Sequence, residues 1–131
     1  MDEVRFLTLD EVLALHSRQL ARYGGRDGIL DRNVVESALA QPQATMFGEY
    51  LHEDVAAMAA AYLYHFAAAQ GFVDGNKRTG TVCATTFLAL NGYDLDCTED
   101  ELYDVAMEVA NRRLEKVPLA DWVRGHLIPL P

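Results

Sequence analysis

The chain has 131 residues, 50% of them hydrophobic and 24% charged. That fits one domain, residues 1–131, able to bury about two thirds of its unfolded surface without a disulfide or metal staple. The formal net charge is −9 and the pI about 4.7, the reverse of a basic nucleic-acid footprint, so an extended DNA or RNA groove is not expected, while a small local basic pocket stays open.

The longest apolar stretch, Val55 to Ala69, is interrupted by His65 and is too short to cross a bilayer. The start, Met1-Asp2-Glu3-Val4-Arg5, is acidic and leads into no apolar run, so neither a signal peptide nor a membrane anchor is expected. Cys83 and Cys97 lack zinc spacing and read as free thiols, which implies a cytoplasmic protein.

The apolar period is helical nearly throughout, and the expected class is all-α with about six helices. Thr8-Leu9-Asp10-Glu11 has the form of a capping box. Leu9, Val12, Leu13, Leu15 and Leu20 then make an apolar stripe that Gly24-Gly25 ends. A short second helix carries Val34, Val35, Ala38 and Leu39 and stops before Pro42. Gln43 to His52 shows no sustained period and reads as a surface loop. The third helix, about Asp54 to Gln70, is rich in alanine, which lets neighbouring backbones approach, so a crowded central position is expected. Gly71 is expected to close it in the left-handed conformation. A fourth helix runs from about Asn76 to Asn91 with the stripe Val82, Cys83, Thr86, Phe87 and Leu90, and Gly92 caps it. Thr98-Glu99-Asp100-Glu101 is a second capping box, and Val117-Pro118 starts a last short helix.

The stretch that carries chemistry is Gln70-Gly71-Phe72-Val73-Asp74-Gly75-Asn76-Lys77-Arg78-Thr79, a tight loop running into a helix N-terminus. Unpaired N–H groups and the helix dipole there favour an anion. Gly75 permits close backbone approach and a nest of N–H groups. Asn76 can hydrogen-bond phosphate oxygens, and Lys77 and Arg78 bring positive charge into an acidic chain. Asp74 can hold Mg²⁺, an oxygen-seeking ion often shared with substrate phosphates. Phe72 would pin the loop to the core. The residues alone leave a second reading open, a polar turn in which Asp74 caps the helix and the two cations are solvated. A P-loop does not fit, since Thr81 stands where its lysine belongs and no strand precedes.

This stretch resembles the motif of the Fic/Doc proteins, His-x-Phe-x-Asp-(Gly/Ala)-Asn-Lys-Arg, whose last seven positions Phe72 to Arg78 reproduce. The resemblance extends through Gly28-Ile29-Leu30, Glu36 to Pro42 and Leu88 to Tyr93. Lys77 and Thr81 stand where Fic adenylyltransferases have glycine and arginine, which places the likeness with the Doc (death-on-curing) toxins of toxin–antitoxin pairs. That likeness implies transfer of the γ-phosphate of ATP to a threonine of elongation factor Tu, which blocks translation, and control by a Phd-type antitoxin. Asp74 would hold Mg²⁺, and Gly75, Asn76, Lys77 and Arg78 the phosphates. AMP transfer to a protein hydroxyl is the second reading of the chemistry.

The departure lies at position 70. The motif histidine, which takes the proton of the attacking hydroxyl, is replaced by Gln70. An amide has no basic lone pair near neutral pH, and losing a general base typically costs about 10²–10⁴-fold in rate. His65 lies about 140° around the helix and roughly 7.5 Å along it, so it does not substitute. His16, His52 and His126 have no evident place. The expectation is an impaired Doc-type enzyme, with a catalytically silent Fic-fold binding module as the alternative.

Overall fold

The computed structural model describes residues 3–131. Six α-helices dominate: α1 (Leu9–Tyr23), α2 (Arg32–Ala40), α3 (Val55–Ala68), α4 (Asn76–Leu90), α5 (Glu99–Ala110) and α6 (Lys116–His126). The all-α expectation holds. Two small antiparallel ribbons are added, β1 (Thr45–Met46) with β2 (Glu49–Tyr50), and β3 (Tyr93–Leu95) with β4 (Leu127–Pro129). Among the described residues no helix is long and apolar enough to cross a membrane.

Local chemistry sets most boundaries. Both capping boxes form, Thr8 with Glu11 and Thr98 with Glu101, each hydroxyl accepting from the N–H of the third helical residue while that residue's carboxylate accepts from the cap N–H. Such a cap typically contributes about 1 kcal/mol. Asp31 and Asp54 cap α2 and α3 through their carboxylates alone, accepting from the first-turn N–H groups of Asn33 and Val34 and of Ala57.

The alanine-rich α3 is the central element, packed chiefly against α4 and α6. Every residue from Ala56 to Leu63 is buried. The α3–α4 approach is close enough that a Cβ on Gly80 would lie 3.0 Å from the Leu63 carbonyl oxygen. That contact shifts the inner face of α4 from the expected stripe. Thr79, Gly80, Cys83, Ala84, Phe87 and Leu88 are buried, whereas Val82 and Thr86 are half-buried and Leu90 is exposed. Small residues face α3 because only they fit, and side-chain polarity misjudges the phase.

Two further expectations are corrected. Gln43 to His52 is not an irregular loop throughout, because Thr45–Met46 and Glu49–Tyr50 pair across a two-residue turn. Phe47 and Gly48 both have positive φ, 52° and 80°, as the tight hairpin turn requires. Gly71 does not close α3 in the left-handed region. The chain leaves the helix earlier, at Ala69, in extended conformation with φ −96° and ψ 142°. Gly71 is required for space instead, since a Cβ there would sit 2.8 Å from Val35 Cγ2.

Candidate functional site

Between α3 and α4 the chain runs through residues 69–75, and several main-chain groups of this loop are tied to other parts of the fold. The Gly71 carbonyl accepts from Leu30 N–H at 2.9 Å and Asp31 N–H at 3.1 Å. Val73 N–H donates to the Gly28 carbonyl at 3.0 Å, and Ile29 and Phe72 form an antiparallel bridge. The connection between α1 and α2 is therefore a brace for the loop, which gives Gly28-Ile29-Leu30 a mechanical role.

Asn76 closes the loop from within. Its buried amide accepts from Phe72 N–H through Oδ1 at 3.0 Å, while Nδ2 donates to the Phe72 carbonyl at 3.0 Å and to Gln70 Oε1 at 3.3 Å. Both amide protons are thus engaged in the loop. The side chain expected to reach a phosphate is a staple, and what Asn76 can offer an anion is its main-chain N–H.

Phe72 is fully buried, as an anchor should be, and lies between Phe66 and an unexpected neighbour. The His16 ring stacks on it with centroids 3.8 Å apart and planes 12° from parallel. His16 is itself 3% exposed, and its Nε2–H donates to the Asp74 carbonyl at 2.8 Å. One histidine thus holds both the anchor and the backbone beside the turn. The only signal for it in the sequence is a polar residue one helical turn after Val12, the other buried residue of α1.

The turn then delivers α4. Gly75 is its N-cap at φ +81° and ψ 17°, and a left-handed residue followed by helical Asn76 is the handed alternation that arranges N–H groups in a nest. No side chain caps the helix. Asp74 does not fill that role, because its Oδ2 accepts from Arg26 N–H at 2.7 Å. The first helical bond of this end is Thr79 N–H to the Gly75 carbonyl, so the N–H groups of Asn76, Lys77 and Arg78 precede it.

These groups line a cleft of about 450 Å³ with Gln70, Asp74, Gly75 and Tyr23. Lys77 and Arg78 are both half-buried rather than freely solvated. Among the described residues neither forms an ion pair. The Arg78 guanidinium lies over the Tyr23 ring at 3.6 Å and the Tyr103 ring at 4.8 Å. Unneutralised cations and oriented N–H groups in one recess of an acidic chain suit an anion.

A divalent cation finds one carboxylate here. Among the described residues there is no cluster of three or more metal-ligating side chains. Asp74 uses Oδ2 on the backbone, and no described group hydrogen-bonds Oδ1. That suits an ion such as Mg²⁺, which keeps several waters and is held by one or two carboxylates plus phosphate oxygens. It does not suit zinc, which needs three or four protein ligands.

The other histidines lie elsewhere. His65 packs against α6, with Lys116 Nζ 3.2 Å from its Nε2, and borders a recess shared with α2. Burial, then Lys116 and His52, push its pKa down to about 4. His126 bonds the Trp122 carbonyl through Nδ1 at 2.7 Å. His52 is buried, and among the described residues its Nδ1 has no partner.

With this geometry in hand, comparison with known proteins decides the lineage. The model of the Fic/DOC family matches residues 6–88, from just before α1 into the last turn of α4. The chain belongs to the Fic/DOC family. It is 37% identical over 122 residues to Toxin Doc of Mycolicibacterium smegmatis, with 92% of each chain covered. It is 31% identical over 121 residues to Protein kinase doc of Escherichia phage P1, covering 92% of this chain and 94% of that protein. Homology to Doc toxins therefore extends past the matched region through α5 and much of α6.

Proposed function

We propose that this Fic/DOC protein has the machinery of a Doc-type phosphotransferase, with ATP as donor and a threonine of elongation factor Tu as acceptor. The observation that carries the reading is the cleft at the head of α4, where three helix-end N–H groups meet Lys77 and Arg78 and, among the described residues, no carboxylate pairs with either cation. The relative named as a protein kinase supports the direction of transfer.

In the reaction the threonine oxygen bonds to the γ-phosphorus, the bond from that phosphorus to the β–γ bridging oxygen breaks, and ADP leaves. The Lys77 and Arg78 side chains and the α4 N–H groups hold and screen the phosphate oxygens, which is most of what phosphoryl transfer asks of a protein. Mg²⁺, held at Asp74 and by the phosphates, would supply charge neutralisation. Lys77, which occupies the glycine position of the adenylyltransferases, fills space there and favours a different nucleotide pose. The hydroxyl proton needs a base, and Gln70 supplies none. This form is accordingly an impaired toxin. A Phd-type antitoxin belongs to the same reading, as does cytoplasmic action. The exposed β1–β2 hairpin is the surface proposed to meet the protein acceptor.

One observation favours the silent binding module as a second reading. The Gln70 amide accepts from Asn76 Nδ2 and so takes part in stapling the loop. Gln70→His separates the two. The phosphotransferase reading expects a gain of about 10²–10⁴-fold in label transfer from γ-labelled ATP to elongation factor Tu. Transfer from α-labelled ATP instead would establish AMP transfer. A folded, ATP-binding Gln70→His variant that transfers neither label would leave the binding module.

A further inference from the structure

Arg78 is held in an unusual way for a cation in a protein this acidic. Glu99 and Asp100 line the adjoining cleft of about 540 Å³ between α1, α4 and α5, yet neither pairs with it. Its guanidinium carbon lies 3.6 Å from the centroid of Tyr23, at the last residue of α1, and 4.8 Å from that of Tyr103 on α5. Tyr23 is approached by a second guanidinium as well, Arg22 at 5.1 Å. Both tyrosines and Arg78 border the phosphate cleft and the adjoining one.

We infer that Tyr23 and Tyr103 are positioning residues, which hold the Arg78 guanidinium between their rings so that its N–H edge stays free for a phosphate. The inference rests on the phosphate-site reading above and deepens it. The chemistry follows from the shape of the group. A guanidinium is planar, and its five N–H bonds lie in the plane while its faces are available for stacking. A carboxylate partner would occupy the N–H edge and cancel the charge. An aromatic partner takes the face, leaves the charge in place and uses none of the donors. An arginine on a long, freely rotating stem is thereby held in place before a ligand arrives, and a fixed donor pair binds a phosphate with less ordering to complete. The clamp also joins three helices at the site, since α1, α4 and α5 each supply one of its members.

The test is binding of ATP–Mg²⁺, measured by titration calorimetry on the full chain in a double-mutant cycle. Tyr23→Leu and Tyr103→Leu should each weaken binding about 2–5-fold and together about ten-fold, as loss of cation–π contacts at partly exposed sites would give. Tyr23→Phe and Tyr103→Phe keep the rings and should bind within about two-fold of the parent. In an Arg78→Ala background the leucine substitutions should add nothing, which a general loosening of the fold would not reproduce. Leucine variants that fold and bind like the parent overturn the inference while leaving the phosphate site standing, and so does equal weakening in the Arg78→Ala background. A parent chain with no affinity for ATP–Mg²⁺ overturns the phosphate reading and this inference with it. Should the leucine variants fail to fold, the Arg78 Nε–H proton of the parent decides. An upfield ring-current shift supports the clamp, and the resonance position of an exposed arginine overturns it.

Discussion

The two connections that flank α3 are built in opposite ways. The 69–75 loop leaving it is over-determined, with Asn76 stapling Phe72, Gly28 and the Leu30–Asp31 pair bracing the backbone, and His16 holding the Asp74 carbonyl. The hairpin entering it has four ladder residues, a turn residue at φ 52° and a tip, Phe47, that is 98% exposed. Fixed geometry is concentrated where a phosphate would have to meet several donors at once. The backbone of the other connection has only local hydrogen bonds, with Tyr50 packed on Phe6, and it presents Met46 and Phe47 to solvent.

Breaking the staple should have the largest effect. Asn76→Ala leaves the buried N–H and carbonyl of Phe72 without partners, and the cost should be about 2–4 kcal/mol of stability, read from denaturant unfolding. A loss under about 1 kcal/mol would mean the loop does not depend on it. A smaller effect should come from outside both connections, at the α3–α6 contact. The folded His65, pushed down to about 4, refuses a proton that the unfolded chain accepts near its ordinary value. Stability is then complete above about pH 6.5 and falls as pH drops toward 4, by roughly 1–2 kcal/mol once solvent screening is allowed for. His65→Gln should flatten that stretch of the melting-temperature profile, and an unchanged slope would contradict the burial argument. The smallest effect belongs to the hairpin. Phe47→Ser should change stability by no more than about 0.5 kcal/mol and leave ATP affinity intact. In the Gln70→His background it should lower transfer to the protein acceptor several-fold, and unaltered transfer would remove the hairpin from recognition.

The same contrast governs how much was legible in advance. The capping boxes at Thr8 and Thr98, the helix starts at Asp54 and Asn76, and the Phe72 anchor are written in short-range chemistry, and all were readable. His16 meets the motif loop across 58 residues, and Tyr103 approaches Arg78 from a different helix, so no local pattern announces either. The inner face of α4 departs from its apolar stripe for a related reason. Gly80 and Ala84 are inside because α3 lies so close, a fact about the partner helix rather than about α4. Asn76 shows the limit from the other side. Its place in the motif was plain, but whether its amide serves a ligand or the loop depends on where Phe72 folds back.

The measurement that bears most directly on the proposed phosphate cleft is titration of ATP into the unaltered chain, Asp74→Ala and Arg78→Ala, each with and without Mg²⁺. Asp74→Ala should abolish the Mg²⁺-dependent part of binding, because its carboxylate is the one described beside the turn. Arg78→Ala should weaken binding with or without the metal, by about 1.5–3 kcal/mol for a lost charge-assisted contact. Affinity equal to that of the unaltered chain in both variants would contradict the assignment of this cleft to phosphate.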